Sequence, residues 1–280
     1  MISNFSGHSA LMFAVEGNQR PNICFVHIEK AGGTTFNDFL LENLPGYWIL
    51  PPQKNAYGWR YEADYLARLR KVIPFQHIGG HQLAAFDHYD NLFPNPLYVS
   101  FVREPVSRFL SHVNWKSKQH ESTLSDFLQD PKTLNSQCFR ISGQRKFEPT
   151  RGLIESRPYF IGLAEQFTLS LYMLQKLLGM HHRPFENSNV TSSQKKVYTA
   201  SHLDSSQLDE LRAANQEDVR LYEWIVNEFF PRQVEQLQPT ESDLQQFLEE
   251  SKKYHRQAWF APRKKLRAAI CRIATRLIRP

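Results

Sequence analysis

Cysteines and long apolar runs are scarce in this 280-residue chain, and each shortage excludes a class of protein. The three cysteines, Cys24, Cys138 and Cys271, lie far apart. An odd, dispersed set forms neither a disulfide framework nor a zinc site, so we expect a reducing compartment. No apolar run approaches the ~18 residues that cross a bilayer. The early run 10–15 lacks the basic flank and cleavage site of a secretory signal, so we expect none.

Acidic residues are absent from residues 261–280, which hold seven lysines and arginines. The whole chain carries a net charge of +6 and this tail carries +7, so the remaining residues carry −1 by difference. The sequence pI of 9.2 therefore reflects the tail. A nearly neutral body gives no support to a groove for a polyanion, so we expect no nucleic acid partner.

Short apolar segments alternate with amphipathic ones, and 41% of the residues are hydrophobic, enough for a substantial core. This alternation predicts an α/β fold: a single P-loop-like domain with a central, mainly parallel sheet flanked by helices. We expect an entry segment at 1–20, the domain at 21–235, and a helical C-terminal extension with a basic amphipathic tail at 236–280. The predicted strands are 23–28, 75–78, 97–102 and 159–163; the predicted helices are 36–44, 63–70, one starting at 106 or 107, 167–178, 205–214, 217–230 and 240–254.

A glycine turn with a lysine follows the first predicted strand, in the run Lys30-Ala31-Gly32-Gly33-Thr34-Thr35. Two glycines let backbone N–H groups point at one anion, and the following helix adds its positive end. The alternative is an ordinary tight turn with a surface lysine. Because Lys30 precedes the glycines, the run is not a Walker A motif, which counts against a magnesium-dependent NTPase.

A second anion-binding pattern follows the strand at 97–102 and contains Arg103, Pro105, Arg108 and Ser111. Pro105 suits the first turn of a helix, which places Arg103 just before that helix. The fork of Arg103 and the hydroxyl of Ser111 could together grip a phosphate. The alternative for Arg103 is an ion pair with Glu104 or with another acid. We expect Arg108 to be a solvated helix residue.

A histidine follows a third turn, in the run Gly79-Gly80-His81 at the end of a predicted strand. In parallel sheets, ligands bind beyond the carboxyl ends of the strands, so we expect this turn, the glycine turn and Arg103 to converge. His81 is then placed to act as a general base near neutral pH. A purely structural histidine is the alternative.

Together these motifs resemble the PAPS-dependent carbohydrate sulfotransferases, especially the heparan sulfate 2-O- and uronyl 2-O-sulfotransferases. FVHIEKAGGTTF at 25–36 is similar to that family's 5′-phosphosulfate loop. VSFVREPVSRFLSHV at 99–113 is similar to its 3′-phosphate motif. The resemblance covers about residues 22–230. It specifies the co-substrate PAPS, with no metal, better than it specifies the acceptor.

Residue by residue, the resemblance implies a set of roles. It assigns binding of the 5′-phosphosulfate to Lys30, Ala31, Gly32, Gly33, Thr34 and Thr35, and binding of the 3′-phosphate to Arg103 and Ser111. It assigns base catalysis to His81, with His77 in reserve, and support of the leaving phosphate to Lys30. Acceptor binding is assigned to Asn135 and Gln137. Loop capping is the alternative for both amides. Arg140 could read an acidic sugar or belong to a solvated loop. Glu29 replaces the family's usual proline, so we expect its carboxylate to point away from the anion.

The tail places Leu266, Ile270, Ile273 and Leu277 along one stripe of an arginine-rich helix. That pattern suits peripheral contact of residues 261–280 with an anionic membrane. The alternative is a helix docked onto the body with its arginines in water.

The sequence therefore predicts a sulfotransferase that moves a sulfuryl group from PAPS to a hydroxyl of a carbohydrate-containing acceptor, a glycan or glycolipid. We expect a cytoplasmic bacterial enzyme, peripheral at the inner face of the membrane if the tail binds there. Two alternatives are an ATP-dependent small-molecule phosphotransferase, which would need a magnesium-binding acid, and a catalytically inactive nucleotide-binding adaptor.

Overall fold

A five-stranded parallel sheet lies at the centre of the computed structural model, which describes residues 20–50, 60–117, 123–180, 183–186, 197–255 and 259–278. The expected entry segment lies outside these ranges except for Arg20. The strand order is β2-β3-β1-β4-β5, and every neighbouring pair is parallel. The strands are β1 Asn22–Val26, β2 Tyr47–Ile49, β3 His77–Gly80, β4 Pro96–Val102 and β5 Tyr159–Leu163.

Helices flank the sheet and form the whole C-terminal part of the described chain. Two 3₁₀ turns, Tyr89–Asn91 and Ala200–His202, and a π-helical turn, Ile225–Phe229, accompany them. The helices are α1 Gly33–Asn43, α2 Ala63–Arg70, α3 Pro105–Lys116, α4 Leu124–Gln129, α5 Ser136–Ser142, α6 Phe147–Glu155, α7 Phe167–Leu177, α8 Ser205–Ala214, α9 Gln216–Trp224, α10 Phe230–Leu237, α11 Glu241–Lys253 and α12 Phe260–Leu277. None of those in the described ranges has the length and apolar character that a bilayer span requires.

The central strands are apolar along their length because both faces of the sheet are covered. All seven residues of β4 are buried, and β1 is buried from Ile23 to Val26. Such strands read as continuous apolar runs rather than alternating ones. Cys24 lies opposite both Ile78 and Tyr98, so the carboxyl ends of β1, β3 and β4 reach the same edge.

The predicted α/β architecture with a parallel sheet and a helical C-terminal part is confirmed, and β5 has the predicted bounds. The structure adds what periodicity did not indicate: the three-residue edge strand β2 and the short helices α4, α5 and α6. The helix predicted at 217–230 is interrupted by the π-helical turn. A new helix then starts at Phe230 and has Pro231 in its first turn, where a missing N–H is tolerated.

The C-terminal extension packs against the domain rather than standing apart from it. Phe247 of α11 and Phe260 of α12 belong to the same buried apolar cluster as the sheet. The boundary expected after residue 235 falls inside α10. Helix α11 has an N-terminal cap, because the N–H of Asp243 donates to Oγ1 of Thr240 at 3.1 Å.

Candidate active site

The turns after β1, β3 and β4 meet at the carboxyl edge of the sheet, as expected. Nη1 of Arg103 donates to the backbone oxygen of Lys30 at 3.2 Å. Nδ1 of His81 lies 3.2 Å from the backbone oxygen of His27, the first residue after β1 and three residues before Lys30. The segment that follows β1 is therefore in direct contact with both other turns.

The backbone of the glycine turn is left-handed at two positions. Gly32 has φ +86° and Lys30 has φ +68°, a conformation that costs free energy for a residue with a side chain. The hydrogen bond from Arg103 to the Lys30 oxygen holds this strained peptide in place. Gly32 is the N-cap of α1, so the positive end of that helix faces the turn, an arrangement that suits an anion.

Gly33 is required for a different reason than Gly32. It lies in the first turn of α1 with helical geometry, but a Cβ there would lie 2.1 Å from Cδ2 of His27. The absent side chain is what lets the His27 ring pack against the helix. The pair of glycines thus provides one turn and one close contact.

The backbone of Arg103 is fixed by a buried glutamine. Oε1 of Gln137 accepts from the Arg103 N–H at 2.9 Å, and Nε2 donates to the Arg103 oxygen at 2.9 Å. Gln137 is completely buried, and its own N–H donates to Asp218 at 3.0 Å. A guanidinium has five N–H donors, so the bond to Lys30 leaves donors for a phosphate.

Asn135 holds the start of α9 beneath this region. Its Oδ1 accepts from the N–H groups of Glu217 and Asp218, both at 3.1 Å. In this structure the side chains of Asn135 and Gln137 therefore have the capping and positioning contacts of the structural alternative. Their assignment to the acceptor stays a prediction.

Arg108 is not a solvated helix residue, so that expectation was wrong. Its side chain is almost completely buried, and Nη2 donates to the Thr133 oxygen at 3.3 Å. Burial raises the pKa of Asp218, and the charge of Arg108 opposes that rise. Periodicity along α3 could not reveal a buried arginine, because the opposing acid lies more than a hundred residues away in the sequence.

Helix α3 faces the glycine turn with the side on which Ser111 lies. Nζ of Lys30 is 5.9 Å from the ring centroid of Trp115, which is exposed and one helical turn after Ser111. Residues four apart on a helix share a face, so Ser111 lies on the side that carries Trp115. Ser111 is therefore on the face of α3 that the Lys30 side chain approaches, on the helix that Arg103 precedes.

His81 has a defined tautomer in this arrangement. Because a carbonyl oxygen only accepts, the contact with the His27 oxygen assigns the proton to Nδ1 and leaves the lone pair on Nε2. The ring stacks on that of His27, with 3.8 Å between centroids. Burial lowers the pKa of His81 below its ordinary value, so the imidazole is neutral at neutral pH.

Glu29 and Arg140 form an ion pair next to His81. The carboxylate of Glu29 accepts from Nε of Arg140 at 3.0 Å and also from its Nη2. Nη1 of Arg140 donates to the backbone oxygen of His81 at 3.0 Å, and Oε1 of Glu29 lies 3.8 Å from Nδ1 of His81. Arg140 thus compensates the negative charge of Glu29, and the Glu29 carboxylate lies beside the imidazole of His81.

The second histidine of the site is His27, which the sequence analysis missed, and not His77. The only signal for His27 was its position directly after β1. Its Nδ1 accepts from Nδ2 of Asn37 at 3.1 Å, and burial holds its pKa well below the ordinary range. His77 begins β3, about 13 Å along the strand from His81, and its Nδ1 accepts from the Ile23 N–H at 3.0 Å. This position removes it as a reserve base.

The assembled groups can bind an anion and accept a proton. The glycine turn contains Lys30 and leads into the N-terminus of α1, and Arg103 contacts it. The neutral imidazole of His81 lies beside the start of the same segment. Within the described ranges, no group of three or more His, Cys, Asp or Glu side chains is arranged to hold a metal ion.

Comparison with known proteins identifies the family of this chain. Heparan-sulfate 6-O-sulfotransferase 2 of Gallus gallus is 23% identical over 307 aligned positions, which cover 82% of this chain and 72% of the relative. A crystal structure of a sulfotransferase from Alicyclobacillus acidocaldarius matches with a TM-score of 0.41 and 14% identity, over 81% of this chain and 99% of that one. The relative is a 6-O-sulfotransferase, so the choice between 2-O and 6-O groups stays open. The family model described as "Sulfotransferase family" matches residues 13–224, and by that match, which spans well over half of the chain, this protein belongs to the sulfotransferase family.

Proposed function

We propose that this enzyme transfers a sulfuryl group from PAPS to a hydroxyl of a carbohydrate-containing acceptor. Membership of the sulfotransferase family supports sulfuryl transfer. The observation that carries the choice of PAPS is the 3.2 Å hydrogen bond from Arg103 to Lys30, which joins two anion-binding turns into one site. A donor with one phosphate group at the 5′ position and another at the 3′ position of its ribose needs two such turns. The heparan-sulfate relative supports a glycan or glycolipid acceptor.

The residues present fit the 5′-phosphosulfate and the 3′-phosphate of PAPS. The left-handed turn at Lys30 and Gly32, continued by Ala31, Gly33, Thr34 and Thr35, would hold the 5′-phosphosulfate at the positive end of α1. Arg103, fixed by Gln137, and Ser111 would hold the 3′-phosphate. When bound, PAPS supplies a sulfuryl group activated by its phosphate leaving group.

The side chains around the turn divide the work of the transfer. Nε2 of His81 takes the proton from the attacking hydroxyl, and Glu29 at 3.8 Å stabilises the imidazolium that results. Lys30 and the N-terminus of α1 stabilise the negative charge that develops on the departing phosphate. Gly33 keeps His27 in contact with His81, so the base is held by packing as well as by its hydrogen bond.

The first test measures binding of PAP, the desulfated product, by titration calorimetry. Arg103→Ala removes a charge-assisted hydrogen bond and should cost about 1.5–3 kcal/mol, roughly a 10- to 150-fold rise in Kd. Arg212→Ala, which removes an exposed arginine paired with Asp209 on α8, is the matched control and should bind normally. AMP, which lacks the 3′-phosphate, should bind weakly to wild type and lose less affinity than PAP in the Arg103 variant. Equal losses for PAP and AMP would contradict the 3′-phosphate assignment.

The second test measures transfer from radiolabelled PAPS to glycan and glycolipid extracts. His81→Ala should lose nearly all turnover and keep PAP affinity, since the base contributes about 10²–10⁴-fold to such reactions. His88→Ala, an exposed histidine paired with Asp90, is the control. Binding of PAP without turnover of any acceptor by wild type would favour the adaptor. Magnesium-dependent transfer from ATP would favour the phosphotransferase.

A further inference from the structure

The last helix docks onto the body with one face and leaves an apolar face exposed. Phe260, Cys271, Ala274 and Thr275 of α12 are buried. Around them, Lys264 pairs with Asp38 at 2.5 Å, Arg267 donates to the Tyr47 oxygen at 2.6 Å, and Tyr65 donates to the Thr275 oxygen at 3.5 Å. Polar and apolar contacts together therefore hold the docked face.

The apolar stripe that the sequence indicated is not the docked face. At 100° per residue, the stripe lies roughly 120° around the helix from the buried side chains. Trp259, just before the helix, falls on the same line. The members of this outer face and their exposed fractions are Trp259 44%, Leu266 62%, Ile270 40%, Ile273 58% and Leu277 72%. The four aliphatic members are half of the large apolar side chains that the described chain exposes to this degree.

Basic side chains flank the outer face on the side away from the body. On the same helical projection, Lys265, Arg272 and Arg276 lie within about 130° of the stripe, and all three are exposed. On the other border, the guanidinium of Arg263 lies 5.2 Å from the Trp259 ring centroid. No acidic residue occurs in 261–280 to neutralise them.

We propose that this outer face binds an anionic lipid membrane, with α12 lying in the plane of the interface. The apolar stripe can insert among the acyl chains, and Trp259 suits the boundary between the acyl chains and the headgroups. The flanking arginines can bind the headgroup phosphates. A second copy of this chain is a poorer occupant, because an isologous contact would bring the same basic side chains together with no acid between them. Because α12 packs on the body, membrane binding by this helix would hold the whole enzyme at the membrane surface.

The test is sedimentation of the full chain with phosphatidylcholine vesicles, with or without about 30% phosphatidylglycerol. Wild type should pellet only with the anionic vesicles. Leu266→Gln/Ile273→Gln, which changes two exposed side chains, should weaken binding by about tenfold or more. Lys265→Gln/Arg272→Gln/Arg276→Gln should weaken it by about a hundredfold at low salt. Val197→Gln removes an exposed apolar side chain elsewhere and should change nothing.

A second measurement separates membrane binding from self-association, and it needs no transfer activity. The emission of Trp259 is obtained by subtracting the spectrum of a Trp259→Phe variant from that of wild type. Its maximum should shift to shorter wavelength when anionic vesicles are added and return to its original position at high salt. Failure to pellet, or pelleting that the Leu266/Ile273 variant retains, overturns the proposal. It is also overturned if sedimentation velocity shows a dimer that the same variant dissociates.

Discussion

Removing the carboxylate of Glu29 should lower the pKa of His81. Glu29 favours the imidazolium, because its Oε1 lies 3.8 Å from Nδ1. In Glu29→Gln the neutral amide keeps the size and can still accept from Arg140. The charge of Arg140, which lowers the pKa of His81, is then no longer compensated. Both effects favour the neutral imidazole, so the pKa falls further below its ordinary value.

The magnitude follows from the separation and the exposure. Two unit charges about 4 Å apart interact by about 4 kcal/mol at a dielectric of 20 and about 1 kcal/mol in water. The His81 side chain is 37% exposed, so solvent screening places the interaction near the lower value. An interaction of about 1 kcal/mol corresponds to a roughly fivefold change in the protonation equilibrium, so the pKa of His81 should fall by an amount that a titration resolves. Arg140→Gln should shift the pKa in the opposite direction, since it removes a cation and leaves Glu29 unopposed.

The assay is an NMR titration of the His81 Cε1–H signal, assigned by its loss in His81→Ala. The same shift should appear in kcat/KM against pH. The base must be deprotonated, so the acidic limb should move to lower pH in Glu29→Gln and to higher pH in Arg140→Gln. Glu155→Gln, which breaks an exposed pair with Arg151, is the matched control. A His81 pKa that stays constant, or that moves the same way in both variants, would refute the role of the pair.

Two further predictions concern the buried contacts of Gln137 and Gly33. Gln137→Leu keeps the volume but leaves the Arg103 N–H and oxygen without partners; it should cost about 1–3 kcal/mol in chemical denaturation and weaken PAP binding in calorimetry. Normal PAP affinity would show that Arg103 is held by other contacts. Gly33→Ala should lower the free energy of unfolding by about 1–3 kcal/mol, because the new Cβ pushes against His27. Gly152→Ala in α6, where nothing lies within 4 Å of the new Cβ, should raise that free energy by at most about 1 kcal/mol. Equal thermal shifts for the two alanine variants would contradict the close contact.

Much of the fold was readable from local patterns, and its exceptions have local causes. The continuous apolar runs at β1, β4 and β5 were predicted because a strand covered on both faces needs no alternation. The edge strand β2 was missed because three residues carry no period. The helix predicted at 217–230 continued through the π-helical turn because that turn keeps the apolar pattern of α9, and the rest of α10 was not predicted. α5, which carries Gln137 and Arg140, is too short for a helical stripe to show.

The sequence by itself determined the α/β class, the order of the three turns, and the donors that an anion would meet, because a strand, a left-handed glycine and a helix N-terminus are specified by neighbouring residues. Tertiary structure alone decided what each polar side chain does there. Glu29 meets Arg140 across 111 positions, and His81 meets His27 across 54. It also decided which face of α12 packs on the body. Such choices depend on burial and charge contributed by distant segments, and no local spacing encodes them.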